Sequence, residues 1–385
     1  MDRKTRLFPW LMLVVFAGCH DQTMAPQVHE QTATASLSAT PSATCPATAT
    51  FTVSDEAGLR AALAAASPGD VIAISGMIGI TVDDTIATDR VTLTCAAPGS
   101  GLYAVGSDVV GDLVVVLAKQ VTIDRLVLDA SGAFDAAILA FNDGLTAFAD
   151  ADRFTNNEIT CGPESLCIFV VGVPRTLIAN NQATAFGAVS GLHLQSGVDG
   201  TQIVGNTIVA ATPSGISAFG GIRVRDGSGV VVTGNAVLGP WTNSVAPTNL
   251  ATSRFAFNRF EGAASFGVRM STNAGGLLMT DDVFQDNQVT SDGFTGMFAT
   301  LACRNAFVWN TLQGTGGGIG IFFDATTGAN TFVGNRTTVV DNGAFDCNGD
   351  GVNDPNIITG TVLHGMRPGD AVSDAVPTRH GITAQ

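Results

Sequence analysis

Three arginines and a histidine fall at one phase of short alternating runs. They are His193 in Gly191-Leu192-His193-Leu194-Gln195, Arg223 and Arg225 in Gly221-Ile222-Arg223-Val224-Arg225, and Arg269 in Gly267-Val268-Arg269-Met270. Side chains of an extended strand alternate between faces, so these residues oppose a buried apolar face. Aligned run by run, the first outward position reads Phe169, His193, Arg223, Arg269, Phe298 and Phe322. Two residues further on it reads Val171, Gln195, Arg225, Ser271, Thr300 and Asp324. A guanidinium grips an oxyanion through two parallel N–H bonds, so a basic middle of this kind suits a ligand bearing carboxylates, such as a uronate. Gln195, Arg225 and Asp324 would line it, with Phe169, Phe298 and Phe322 on its flanks. If the face does chemistry, His193 or Arg223 would move a proton, Asp226 or Asp324 would orient it or act as acid, and Arg269 would complete the cationic set. Stacked arginine and histidine can equally form a solvated outer face paired with nearby aspartates. The stripe lacks the paired acids that glycoside hydrolases use.

A second constellation is Asp346-Cys347-Asn348-Gly349-Asp350-Gly351-Val352-Asn353-Asp354. It is similar to a calcium loop, with Asp346, Asn348, Asp350, the Val352 carbonyl and Asp354 as oxygen ligands at the first five odd positions. Ile357 stands where a bidentate Glu would complete the set, and no flanking helices are evident. A bound Ca2+ would therefore be weak and structural. The competing reading is a polar turn that closes the domain.

The elements that must position these residues are written in a repeat. The pattern apolar-x-x-Asn-x-apolar centres on Asn157, Asn181, Asn206, Asn235, Asn258, Asn287, Asn310 and Asn335. Its first apolar positions are Phe154, Ile178, Ile203, Val232, Phe255, Phe284, Phe307 and Phe332. A period in this range means a solenoid. Clusters such as Ser196-Gly197-Val198-Asp199-Gly200 separate the alternating runs and read as turns. The asparagines are expected at bends between strands, where Asn tolerates left-handed backbone and can bond stacked neighbours. Val121 to Leu128 fits the frame with Leu126 at the Asn position, and Val91 to Thr94 reads as a first, irregular coil. The longer repeats are expected to carry insertions at Gly239 to Ala251 and Met270 to Thr280.

This repeat resembles that of the right-handed parallel β-helix, or pectin-lyase-like, superfamily over roughly residues 70 to 345. The resemblance implies an all-β solenoid of roughly ten coils, on the order of 50 Å long. It implies little about activity, since the superfamily holds lyases, hydrolases, epimerases, adhesins and proteins without known chemistry. In its uronan lyases and epimerases a basic side chain exchanges the C5 proton while cations neutralise the carboxylate. The clustered aspartates that bind calcium in pectate lyases are not evident here. An open solenoid end needs a cap, and Ser54 to Ala66 supplies a helix, with Ser54 as N-cap candidate and Leu59, Ala62, Leu63 and Ala66 on one stripe.

Residues 1–18 read as a signal peptide, with Arg3, Lys4 and Arg6 before an apolar run too short to span a bilayer. Phe16-Ala17-Gly18-Cys19 resembles a lipobox with Cys19 acylated, Phe16 replacing the usual leucine. Residues 19–50 read as a flexible Thr/Ala/Ser/Pro tether, 51–360 as the β-helix with its cap in 51–70, and 361–385 as a loose tail. Apart from Cys19 there are six cysteines, an even number that suggests disulfides in an exported chain. Cys161–Cys167 is the local pair among fifteen possible pairings. A net charge of −15 with only two lysines argues against a nucleic-acid partner.

Two readings follow. One is an exported, lipid-anchored monomer that binds polysaccharide or serves as a surface module. The alternative is a lyase or epimerase acting on a uronate glycan. The missing acid pair favours the first.

Overall fold

The computed structural model describes residues 44–359 except 47, 107–110, 134, 164, 213–219, 272–277, 294 and 317. The expected signal peptide, Cys19, most of the tether and the loose tail lie outside the described residues, as does most of the Met270–Thr280 insertion.

The chain winds through three parallel sheets, one strand of each per coil, and repeats. This arrangement matches a right-handed parallel β-helix. In the first sheet each strand is three or four residues long, and its central side chain points inward. Phe154, Ile178, Ile203, Val232, Phe255, Phe284, Phe307 and Phe332 stack there in register. The Phe255 and Phe284 rings lie 4.7 Å apart and 5° from parallel, so like packs on like through the core. The second sheet stacks Ile159, Ala183, Ile208, Val237, Phe260, Val289 and Leu312 in the same way. The third sheet has the longest strands, of which Gly220–Ser228 and Asn243–Ala251 reach nine residues. The sheets begin earlier than Val91 to Thr94: strands Phe51–Val53 and Val71–Ile74 precede Thr92–Cys95 in the first sheet.

The asparagines form a continuous buried ladder. Asn181 Nδ2 donates to Asn206 Oδ1 at 2.9 Å and to the Phe154 carbonyl at 2.8 Å, and the same bonds recur through Asn335. Leu126 fills the Asn position of its coil, its N–H donating to Asn157 Oδ1 at 3.0 Å. The left-handed residue is not the asparagine itself but the one before it, as at Asn180 (φ 56°), Gly205 (φ 64°) and Trp309 (φ 54°). The sharp bend belongs to that residue, which frees the asparagine side chain to turn inward and satisfy buried backbone groups.

A second ladder, absent from the repeat pattern, runs five residues earlier. Asp282 N donates to Asn305 Oδ1 at 2.9 Å, Asn305 N to Asn330 Oδ1 at 2.9 Å, and Asn330 N to Asn356 Oδ1 at 3.1 Å. Each short strand of the first sheet is thus pinned at both ends over these coils.

The helix Glu56–Ala65 lies against the first strands with Leu59 and Ala62 buried. Its N-cap is Asp55 rather than Ser54: Asp55 Oδ1 accepts the Gly58 N–H at 2.7 Å. All six remaining cysteines are paired, as Cys45–Cys95, Cys161–Cys167 and Cys303–Cys347.

Candidate functional site

The outer face of the third sheet carries the basic residues. Its register pairs Phe169 with His193, His193 with Arg223, and Arg223 with Ala246. The pairing of Val245 with Val268 then sets Ala246 beside Arg269, and Arg269 pairs with Phe298, which pairs with Phe322. The expected column is therefore interrupted. Gly239 to Ala251 is not an insertion, because Asn243–Ala251 is a full strand of this sheet. Pro247 within that run disguised it, since proline cannot donate to a sheet ladder and reads against a central strand. Arg223 and Arg269 are two coils apart, with Ala246 between them.

The next outward column holds Gln195, Arg225, Thr248 and Ser271, with Arg225 paired to Thr248 and the Thr248 and Ser271 hydroxyl oxygens 3.3 Å apart. Arg225 Nε donates to Asp226 Oδ2 at 2.9 Å, while Asn249 Nδ2 donates to Asp226 Oδ1 at 2.6 Å. Asp226 (φ 58°) and Asn249 (φ 49°) both sit at left-handed corners that turn their side chains toward this column. Asp226 thus holds Arg225. Asn249, Thr248 and Ala246 were not singled out from the sequence, for the same reason that their strand was not.

Charge on this face is crowded. Burial pushes the His193 imidazole down to about 3, and Arg223 and Arg225 push it the same way, with only the Gln195 side chain acting oppositely. His193 is 6 % exposed and packs against Phe169 with ring centroids 5.1 Å apart. Burial, then repulsion from Arg225 and Arg269, lowers Arg223 to about 10, against an opposing pull from Asp226. Arg269 Nε is buried and takes no hydrogen bond among the described residues. At neutral pH the imidazole is neutral and Arg223 remains a cation, within reach of the charges of Arg225, Arg269 and Asp226.

The flanking aromatics form a short platform. Phe298 and Phe322 stack at 5.6 Å and 14°, and Phe266 joins Phe298 at 5.3 Å. Asp324 does not join the cationic group: its Oδ1 accepts the Thr326 N–H at 2.8 Å and closes its own turn. Thr300 likewise bonds Thr326, at 3.1 Å.

The Asp346–Asp354 loop hangs from a two-strand antiparallel ribbon, Ala344–Phe345 with Asp354–Pro355. The Cys303–Cys347 disulfide ties it to the body. Asp346 Oδ1 accepts the Gly349 N–H and Oδ2 the Gly351 N–H, both at 2.7 Å, and these bonds hold its carboxyl below the usual range. Asp350 Oδ1 accepts the Val352 N–H at 2.8 Å, and Asp354 Oδ2 the Cys347 N–H at 3.0 Å. Ile357 belongs to the last strand of the first sheet. No group of three His, Cys, Asp or Glu able to hold a metal is formed among the described residues, this loop included. Acids do gather in the first coils, where burial, Asp135 and Asp83 push Asp112 up to about 8.

No family model matches the sequence, and no curated protein matches it. Solved structures do match. The Dettilon tailspike protein superposes with a TM-score of 0.57 at 12 % identity, over 80 % of this chain and 62 % of its own, so the chain spans less than two thirds of that protein. The DFA-IIIase of Arthrobacter chlorophenolicus, solved with DFA-III, gives 0.53 at 15 % identity over 80 % of this chain and 86 % of that one. The periplasmic alginate epimerase AlgG gives 0.52 at 10 % identity over 78 % and 76 %. At these identities the likeness speaks for the fold alone. In fold, this chain is a right-handed parallel β-helix.

Proposed function

We propose that this protein is an exported, lipid-anchored β-helix that binds an acidic polysaccharide along the His193–Arg223–Arg269 face. The observation that carries the reading is the gathering of Arg223, Arg225 and Arg269 on one outer face of a chain whose net charge is −15. Like charges repel, and a ligand bearing oxyanions would offset that cost. Phe298 and Phe322 offer the apolar faces of sugar rings a stacked surface beside the cations. Acylation at Cys19 and the 19–50 tether would hold this face away from the membrane, and the six paired cysteines suit an oxidising compartment. The Asp346–Asp354 loop would take Ca2+ as a structural staple after its carboxylates rearrange. The helix Glu56–Ala65 would serve as the cap of a solenoid of roughly ten coils.

The alternative, a uronan lyase or epimerase, draws on one observation: His193 is a neutral imidazole beside arginines, the form that accepts a proton. Its 6 % exposure argues against it, because a base must reach the carbon it deprotonates. Arg223 at about 10 stays charged at neutral pH and is no base there. Binding is the better-supported role.

A screen of the chain against polyuronates and neutral glycans tests both readings, with binding and unsaturated-product absorbance read together. Selective binding of polyuronates without turnover is expected. Turnover lost in His193→Ala would establish the enzyme, and binding to neither class would remove the polysaccharide reading.

A further inference from the structure

The residues that make the bend between the first and second sheets stack from coil to coil. Gly234, Phe257, Asp286, Trp309 and Gly334 follow one another there. Each N–H donates to the carbonyl preceding the next residue of the column, as Phe257 does to Gln285 and Trp309 to Val333, both at 3.0 Å. All five have left-handed backbone. Glycine and asparagine, as at Gly205 and Asn180, take that conformation at low cost. Phe257 (φ 56°) and Trp309 (φ 54°) take it against the preference of bulky side chains. Burial does not offset this strain at Trp309, which is 48 % exposed, and Phe257 is only half-buried. Backbone strain that sets an aromatic ring in solvent points to a ring that is used. A Cβ at Gly334 (φ 64°) would lie 2.3 Å from Trp309 Cδ1 and 2.6 Å from Nε1, so the edge of the indole takes the space that glycine leaves.

Asp286 stands between the two aromatic residues, its backbone about 4.8 Å from each, one strand spacing. At the other bend of the same coil, Asp281 is gripped from the next coil by Arg304, through bonds of 3.0 and 2.8 Å. The residue above Asp286 is Trp309, which has no charge to offer, and the Asp286 carboxylate takes no hydrogen bond or ion pair among the described residues. Arg254 is engaged with Gln285 and Arg259 with Glu261, while Arg336 stands two coils away. A carboxylate flanked by two aromatic side chains is suited to an organic cation, which gains a charge-assisted bond from the acid and attraction from the rings. A sugar ring that carries an ammonium group uses both, because its C–H face covers aromatic surface that a thin lysine stem leaves in water.

We infer that Phe257, Asp286 and Trp309 form a second ligand site, apart from the cationic face of the third sheet, that takes unacetylated hexosamine residues of a glycan chain. The ammonium group meets Asp286, and the pyranose rings lie against Trp309 and Phe257. The site stands independently of the acidic-glycan reading and selects the opposite charge.

The test is calorimetric titration of the full chain with a soluble glucosamine oligomer, its fully N-acetylated counterpart and an oligolysine, in mildly acidic buffer that keeps the amines charged. Tryptophan emission is read alongside, since Trp309 is exposed whereas Trp241 is fully buried. The glucosamine oligomer is expected to bind and to shift that emission. Its affinity should fall about tenfold in Asp286→Asn and again about tenfold in Trp309→Ala, each taken singly and shown to be folded by thermal melting. Asp286→Asn keeps the size of the side chain and removes only its charge, so it remains informative should Trp309→Ala disturb the bend. Equal affinity for the N-acetylated oligomer, equal affinity for oligolysine, or undiminished binding by folded Asp286→Asn would overturn the assignment. Absence of binding by the glucosamine oligomer to the unsubstituted chain would overturn it as well.

Discussion

Asp282 and Asn305 are consecutive rungs of a buried ladder, the backbone N–H of Asp282 donating to Asn305 Oδ1 at 2.9 Å. Where asparagine precedes asparagine, the Nδ2 of one also donates to the Oδ1 of the next, as from Asn305 to Asn330 at 3.1 Å. Asp282 has no such donor unless its carboxyl holds a proton. Its Oδ1 accepts the Ser253 N–H at 2.7 Å, while Oδ2 is buried with no hydrogen-bond partner among the described residues. Burial, reinforced by Asp281, pushes this acid up to about 7, and burial pushes Asp152, at the equivalent place of an earlier coil, up to about 8.

The sign of the pH dependence follows. Above the unfolded value of about 4, the unfolded chain has released a proton that the folded chain keeps. Stability therefore falls as pH rises from about 4 to the folded values of about 7 and about 8. Asp282→Asn supplies the missing donor without a charge. It is expected to stabilise by on the order of 3 kcal/mol at pH 8 and by much less at pH 4. Denaturant melts at the two pH values check this, and an equal gain at both would contradict it.

The first ladder predicts a sharp contrast between neighbouring coils. Asn206 Oδ1 accepts from the Asn181 N–H and Nδ2, both at 2.9 Å, and its own Nδ2 donates to the Ile178 carbonyl and to Asn235. Asn206→Ala leaves buried groups unsatisfied and should cost on the order of 3 kcal/mol. Arg254→Ala, at an exposed position bonded only to Gln285 among the described contacts, should stay within about 0.5 kcal/mol. Chemical denaturation of both variants decides it.

At the C-terminal end, the Cys303–Cys347 bridge closes a separation of 44 residues. Its loss in Cys347→Ser should cost about 4 kcal/mol if chain entropy dominates. If the attached loop takes calcium, added Ca2+ raises the melting temperature of the unsubstituted protein and not of Asp346→Ala. Identical melting with Ca2+ and with chelator would leave the loop a turn held by its own backbone bonds.

The solenoid was legible because its core is a repeat: Phe154 to Phe332 recur in one frame, and Asn157 to Asn335 mark the same bend in every coil. The second ladder was not legible because its rungs change identity. Asp152, Thr176, Thr201, Val230, Ser253, Asp282, Asn305 and Asn330 share a place and not a residue type, and the rungs join where a side-chain oxygen accepts the N–H of the coil before, as at Asp152, Ser253, Asp282, Asn305 and Asn330. The cationic residues were legible from alternation, with His193, Arg223 and Arg269 on one column. Their spacing was not, because Pro247 hid the strand that separates Arg223 from Arg269. Asp324 was misassigned because outward phase says nothing about a local partner, here Thr326.

The most direct measurement is calorimetric titration of the full chain with polygalacturonate and, separately, with an uncharged glucan, at two salt concentrations. The account predicts binding of the acidic polymer alone. That affinity should weaken at higher salt and drop at least tenfold in the Arg223→Ala, Arg225→Ala double variant. Equal affinity for the uncharged glucan, or full binding by the folded double variant, would contradict the assignment of this face.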